Sequence, residues 1–298
     1  MLEVNDISKS FGTVKALNAE SFQVQAGEIM GLIGQNGAGK TTTFRILLGL
    51  MNPDHGNVLF DQKTVNDQVL NQIGYLPEER GLFPKMRIED QILYLAELKG
   101  QPRSITKEKI DHYFEKFEIK GKKTDKLKSL SKGNQQKVQL IVTLIHEPKY
   151  LIFDEPFSGL DPVNAQIFRD AILEEKQKGK CIIFSSHNMD NVEELSDQVL
   201  MLRNGQTVLK GSVKDVRNQY GRIKVFLESK LTRDDLLKIE GIKEIHEQNG
   251  VFEITLTDPA VGKEILSQVQ AKGSFDQFSQ KPLSLTEIFK LKAREDHE

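Results

Sequence analysis

The chain has 298 residues, 28% of them charged and 38% hydrophobic, with a formal net charge of −2. That length permits a sizeable core and two domains, while the near-neutral balance gives no electrostatic case for nucleic acid as the main partner. A single cysteine, Cys181, excludes an internal disulfide and a cysteine-rich metal site.

The opening "MLEVNDISKSFG" lacks the charged-then-apolar layout of a signal peptide. No run of about 18 apolar residues follows anywhere, so nothing is expected to span a bilayer. A cytoplasmic protein is expected, one that works at a membrane only through a separate subunit. Internal repeats and low-complexity tracts are absent, which argues against a solenoid.

Along the chain, the apolar strand-like "IMGLI" runs directly into Gly34-Gln35-Asn36-Gly37-Ala38-Gly39-Lys40-Thr41, which fits G-x-x-x-x-G-K-[ST]. Phe44, Leu47, Leu48 and Met51 then follow at helical spacing. Glycines without Cβ let backbone N–H groups wrap a phosphate, and the helix N-terminus adds partial positive charge. Lys40 can reach the β- and γ-oxygens of a nucleoside triphosphate, and the Thr41 hydroxyl can ligate Mg²⁺. No N-K-x-D guanine reader is present, which argues against a GTPase.

Next comes "IGYLPEERGLFPKM" (73–86), a short strand that reaches Pro77 and is followed by Glu78. Residues 86–149 read as mostly helix, with Val138, Ile141, Val142 and Ile145 on one stripe. "YLIF" (150–153), "CIIF" (181–184) and "VLML" (199–202) are unbroken apolar runs, as suits strands of a parallel sheet covered on both faces. Cys181, within the second run, reads as a small buried hydrophobe. Asp154 and Glu155 follow the first run and His187 follows the second, at strand ends where α/β sheets bind ligands. Asp154 is suited to holding Mg²⁺ through water and Glu155 to polarising the water that attacks the γ-phosphate.

After residue 212 the pattern changes. "RIKVFLES" alternates, "TRDDLLKIEG" is helix-like, and a hairpin is expected to turn at Asn249-Gly250. A helix ("PAVGKEILSQVQAKG"), a strand ("SFDQFSQ") and a closing helix ("SLTEIFKLKARE") with a capping box at Ser284 and Glu287 complete a βαββαβ order. A small ferredoxin-like α+β domain over 215–298 is therefore expected behind an α/β domain over 1–214.

Taken in order, these motifs resemble the ATP-binding subunits of ABC transporters, over residues 1 to about 215. Phe11 sits where that family stacks an aromatic on adenine, and residues 34–42, ending at Thr42, match its Walker A loop. "LSKGNQQK" (130–137) matches the signature, "LIFDEP" the Walker B strand, "SGLD" (158–161) the D-loop and His187 the switch histidine. The variants "YLPEERGLF" and "LSKGNQQK", together with the C-terminal domain, look like a bacterial branch that extrudes sodium or drugs.

The resemblance implies a P-loop α/β fold with an N-terminal antiparallel β part and a helical subdomain at about 86–149. It also implies ATP and Mg²⁺ as ligands, a separate transmembrane permease as partner, and a head-to-tail dimer with a copy of itself or a second ATPase subunit. In such a dimer Ser131, Lys132, Gly133 and Asn134 would face the partner's triphosphate, His187 would touch the γ-phosphate and Asp161 would communicate across the interface. Lys132 and Asn134 depart from the commoner L-S-G-G-Q; Lys132 either adds a cation at the triphosphate or is solvated. Glu78 stands where most members carry glutamine. It is either a solvated acid beside Pro77 or a metal-contacting coupling residue, its charge offset by a cation such as Arg80. A soluble mechanoenzyme would need a coiled-coil insertion or a second nucleotide domain, and a non-hydrolysing regulator would have lost Glu155 or His187. An exporting ATPase is the expected function.

Overall fold

The computed structural model describes residues 1–79 and 81–294, so Arg80 and the end of "SLTEIFKLKARE" lie outside the described residues. The chain divides into two compact units, Met1–Lys210 and Gly211–Glu298.

In the first unit β1 (Leu2–Phe11) and β2 (Val14–Val24) form an antiparallel ribbon, and β3 (Ile29–Ile33) runs into α1 (Lys40–Leu47). The strands β4 (His55–Phe60) and β5 (Lys63–Thr64) then close an antiparallel sheet ordered β2-β1-β4-β5. Phe22 and Val24 are buried while Gln23 between them is exposed, the period-two signature of a one-faced sheet. Helix α1 is shorter than its apolar spacing predicts. Gly49, with φ +65°, turns the chain away, so Met51 leaves the helix yet still packs on the core.

The chain continues through α2 (Asp67–Leu70), β6 (Ile73–Leu76), α3 (Ile88–Leu98), α4 (Arg103–Lys116), a 3₁₀ turn (Leu127–Ser129) and α5 (Lys132–Leu144). It then alternates β7 (Tyr150–Phe153), α6 (Pro162–Gln177), β8 (Cys181–Ser185), α7 (Met189–Leu195), β9 (Gln198–Arg203) and β10 (Gln206–Ser212). The larger sheet is ordered β10-β9-β3-β8-β7-β6, and β9, β3, β8, β7 and β6 run parallel. Every residue of β3, β7 and β8 is buried, which explains their unbroken apolar runs. Phe153 and Phe184 are fully enclosed, and truncating either to alanine should cost about 3–5 kcal/mol. Cys181 is a buried free thiol whose pKa burial pushes up to about 11, so it behaves as an inert hydrophobe.

The second unit holds α8 (Val213–Asn218), β11 (Lys224–Ser229), α9 (Arg233–Leu236), β12 (Ile242–Gln248), β13 (Val251–Leu256), α10 (Val261–Ala271), β14 (Phe275–Lys281) and α11 (Leu285–Arg294). Its sheet is antiparallel throughout and ordered β12-β13-β11-β14, as the ferredoxin-like pattern requires. Asn249 and Gly250 both have positive φ, the I′ geometry that matches strand twist in a two-residue hairpin. Ser284 and Glu287 form the expected reciprocal cap on α11. The helix expected across "TRDDLLKIEG" is a single turn, held by its own capping box between Thr232 and Asp235. Lys224 is buried between two carboxylates, Glu253 at 2.6 Å and Glu287 at 2.8 Å, and so joins β11 to β13 and to α11.

Candidate functional site

The parallel order of β3, β8, β7 and β6 brings their C-terminal ends to one edge of the sheet, where residues 34–41, His187, Asp154–Glu155 and Glu78 emerge side by side. The loop after β3 needs its glycines. Gly39 has φ +113°, and a Cβ there would lie 2.7 Å from the Ala16 carbonyl. Gly34 is as confined, its Cβ position 2.5 Å from the Leu202 carbonyl. Gln35, Asn36 and Gly37 are exposed at the loop's crest, while Ala38 is buried beneath it. Helix α1 begins at Lys40 with no side-chain cap and no acid in its first turn. Its first N–H groups and partial positive charge are thus left for an anion. Thr41 is exposed, Thr42 half-buried, and the Lys40 ammonium donates to the Gly34 carbonyl at 2.6 Å and the Gln35 carbonyl at 3.3 Å. Phe11, at the end of β1, is 49% exposed and so offers a ring face.

At the ends of β7 and β8 the two acids are held by one hydroxyl. Ser185 donates to the Asp154 carboxylate at 2.6 Å and accepts from the Glu155 N–H at 2.9 Å. Glu155 has φ +48°, a region costly for a residue with a side chain, and this pair of bonds holds it there. Its carboxylate meets His187 twice, at 2.9 Å from Nδ1 and at 3.3 Å from the backbone N–H. Nδ1 beside a carboxylate oxygen must carry the proton, which leaves Nε2 as the outward group. The constellation can therefore orient a water and contact the distal end of a polyphosphate.

The signature residues stand at the other end of the helical region. Ser131 caps α5, accepting from the Asn134 side-chain amide at 2.9 Å and its N–H at 3.4 Å. The Asn134 carbonyl oxygen in turn accepts from the Lys120 N–H at 3.1 Å, so Asn134 is occupied within its own chain. Lys132 is exposed and Gly133 half-buried, with its α-carbon so close to Asn164 that an added Cβ would lie 2.8 Å from the Asn164 amide nitrogen. Asn164 bonds Asp161 through its backbone and side chain, and its backbone N–H is the main cause of an Asp161 carboxyl pKa below the ordinary range. Gln136 donates to the Ser158 carbonyl at 2.9 Å. The signature and the "SGLD" loop are thus one bonded cluster within the chain, tied to Glu155 by the Ser158 N–H, which donates to the Glu155 carbonyl at 3.0 Å.

Glu78 is exposed just beyond β6, its flanking carbonyls held by Gln139 of α5. Ser185, Asn164 and Gln139 were not expected from the sequence. Ser185 alone gave a signal, a hydroxyl closing a buried apolar strand two residues before His187.

Among the described residues no cluster of three or more His, Cys, Asp or Glu side chains could hold a metal, and no helix is long and apolar enough to cross a membrane. Hard oxygen donors do meet the requirements of Mg²⁺, a cation that takes one or two protein oxygens and completes its shell with water and phosphate. The Thr41 hydroxyl and the Asp154 carboxylate are such donors.

An uncapped glycine-rich helix start facing a strand-end carboxylate pair defines a P-loop nucleotide hydrolase. The comparisons narrow the class. A family profile described as ABC transporter matches residues 17–158, and one described as ATP-binding protein DrrA1-3-like, C-terminal domain, matches 211–293. The ABC transporter ATP-binding protein YhaQ of Bacillus subtilis (strain 168) is 39% identical, with 97% of each chain covered. From the same organism, ABC transporter ATP-binding protein NatA is 34% identical over 72% of this chain and 91% of its own. A solved ATP-binding subunit of an ABC transporter superposes with a TM-score of 0.70 at 31% identity, over 74% of this chain and 93% of that one. The chain belongs to the ABC transporter ATP-binding proteins, and it is an ATPase.

Proposed function

We propose that this ATPase drives a separate membrane permease, in the export direction, by binding ATP between two ATP-binding subunits. The observation that carries its chemistry is the Glu155 carboxylate, held in a strained backbone and bonded to His187 beside Asp154. In this reading the residue 34–42 backbone and Lys40 bind the ATP phosphates, and Phe11 stacks on the base. Thr41 and Asp154 hold Mg²⁺, which neutralises phosphate charge when bound. Glu155 orients the attacking water and takes its proton, while His187, fixed by Glu155, offers its outward nitrogen to the γ-phosphate. Ser131, Lys132 and Gly133 meet the partner subunit's ATP, and the Asp161 loop carries its state across. Glu78 contacts the metal and couples the site to the helical region.

The permease reading is supported by an apolar groove of ≈ 390 Å³ between the end of α1 and the helical region, lined by Leu48, Leu50, Leu70, Leu95 and Leu98. Leu50 is 71% and Leu98 60% exposed, which favours a docked partner segment. Export is supported by the exporter-branch form of the Glu78 loop and the signature. Extraction of the tagged chain from membranes should recover a polytopic protein with it, and inside-out vesicles bearing the pair should accumulate substrate only with ATP. A chain absent from the membrane fraction that co-sediments with ribosomes would overturn the reading.

A further inference from the structure

β6 is an edge strand of the larger sheet. The Gln72 and Leu76 carbonyls point inward, accepting from Tyr150 and Asp154. The alternate carbonyls meet α5 instead. His146, just past the end of α5, has Nε2 3.2 Å from the Ile73 carbonyl, and the Thr143 hydroxyl, shared with the Gln139 carbonyl at 2.9 Å, is 3.2 Å from that of Tyr75. Gln139 donates through Nε2 to the carbonyls of Pro77 at 3.1 Å and Glu79 at 3.4 Å. The match is geometric: steps of three and four residues rise about 4.5 and 6 Å, and side-chain reach makes up the difference from the roughly 6.6 Å between alternate strand residues. Helix and strand run in opposite senses, so donors at 146, 143 and 139 meet acceptors at 73, 75 and 77.

Gln139 differs from the other two donors. Thr143 and His146 grip the strand itself, but Gln139 grips the loop beyond it, on either side of Glu78. It is 4% exposed. The same helix starts at the Ser131 cap, about 12 Å along the axis at 1.5 Å per residue. One rigid element therefore carries the signature at its start and the Glu78 backbone at its middle.

We propose that Gln139 is a positioning residue for ATP hydrolysis, which makes the placement of Glu78 follow α5. The proposal rests on the reading above, in which Glu78 acts at the nucleotide. Its own amide faces carbonyls and touches no reacting atom. When Ser131 engages the partner's ATP, α5 and the Glu78 loop move together, so each site responds to occupancy of the other.

The test is steady-state hydrolysis by the full chain as wild type, Gln139→Leu, Glu78→Ala and the double variant. Gln139→Leu should lower kcat about tenfold, with KM for ATP within about twofold, and should lower it no further in the Glu78→Ala background. Equal proportional losses in both backgrounds would mean a general structural role and overturn the proposal. An unchanged kcat for Gln139→Leu beside a reduced one for Glu78→Ala would overturn it while sparing the role of Glu78. An inert Glu78→Ala would remove the Glu78 reading and the proposal with it. Gln139→Glu, which keeps the shape and loses the donor, repeats the cycle if the leucine variant fails to fold.

Discussion

At the level of single residues, Glu155 and Glu78 are two carboxylates with different surroundings, and the roles proposed for them differ accordingly. Glu155 is fixed by its backbone bond to Ser185 and by His187, whereas Glu78 is exposed, with Gln139 holding the carbonyls of its neighbours. Glu155→Gln keeps size and hydrogen bonding but cannot take a proton, so hydrolysis should fall by about 10²-fold or more. With Mg-ATP that variant should migrate as a dimer on gel filtration, and monomer alone would count against the mechanism. Glu78→Gln should retain measurable hydrolysis; its complete loss, with Glu155→Gln spared, would exchange the two roles. Residues 34–41 and Glu155 stand out in the sequence because G-x-x-x-x-G-K-[ST] and a strand-end Asp-Glu are local patterns, whereas Glu78 is marked only by the family resemblance. Ser185 and Asn164 act through space, from strands and loops distant in sequence, and no short pattern marks them. Nor did spacing disclose that Asn134 is occupied by Ser131 and Lys120, which leaves its side chain less free to face a partner than Lys132.

Among the elements, α5 and β6 form the unit whose behaviour is most readily measured. Its last donor, His146, is buried, and desolvation brings its pKa down to about 4 from an ordinary 6.5. The unfolded chain therefore takes up this proton first as pH falls. The contribution of neutral His146 to stability is complete above about pH 6.5 and is lost on descending to about pH 4, up to about 3 kcal/mol in all. Urea midpoints should fall across that window for the wild type, and less steeply for His146→Gln; identical slopes would refute the assignment. Periodicity foretold the helices and the parallel strands, because burial imposes it. It missed the stop of α1 at Gly49 and the brevity of α9, since both ends are set by backbone turns rather than by apolar spacing.

On the scale of the whole molecule, each unit has its own apolar core. Val225, Leu227, Ile254, Ile265 and Val269 enclose one against the four-stranded sheet, and the first unit packs another around Phe44 and Phe60. Residues 211–298 expressed alone should therefore fold, giving a dispersed amide spectrum and a single cooperative unfolding transition; a collapsed, poorly dispersed spectrum would show that the core is insufficient. The change of pattern after residue 212 lies beside the division at Lys210–Gly211, and the order βαββαβ specified the sheet beyond it, because each strand and turn there carries its own local signal. The carbonyl ladder beside β6 has a last consequence, for solubility. A bare edge invites pairing with another chain, and proteins commonly guard it with lysine or proline on the strand. Here the acceptors that an incoming strand would need are already taken by a glutamine, a threonine and a histidine from the covering helix. This edge is closed to strand addition, and the protection against aggregation is lost if the helix lifts away.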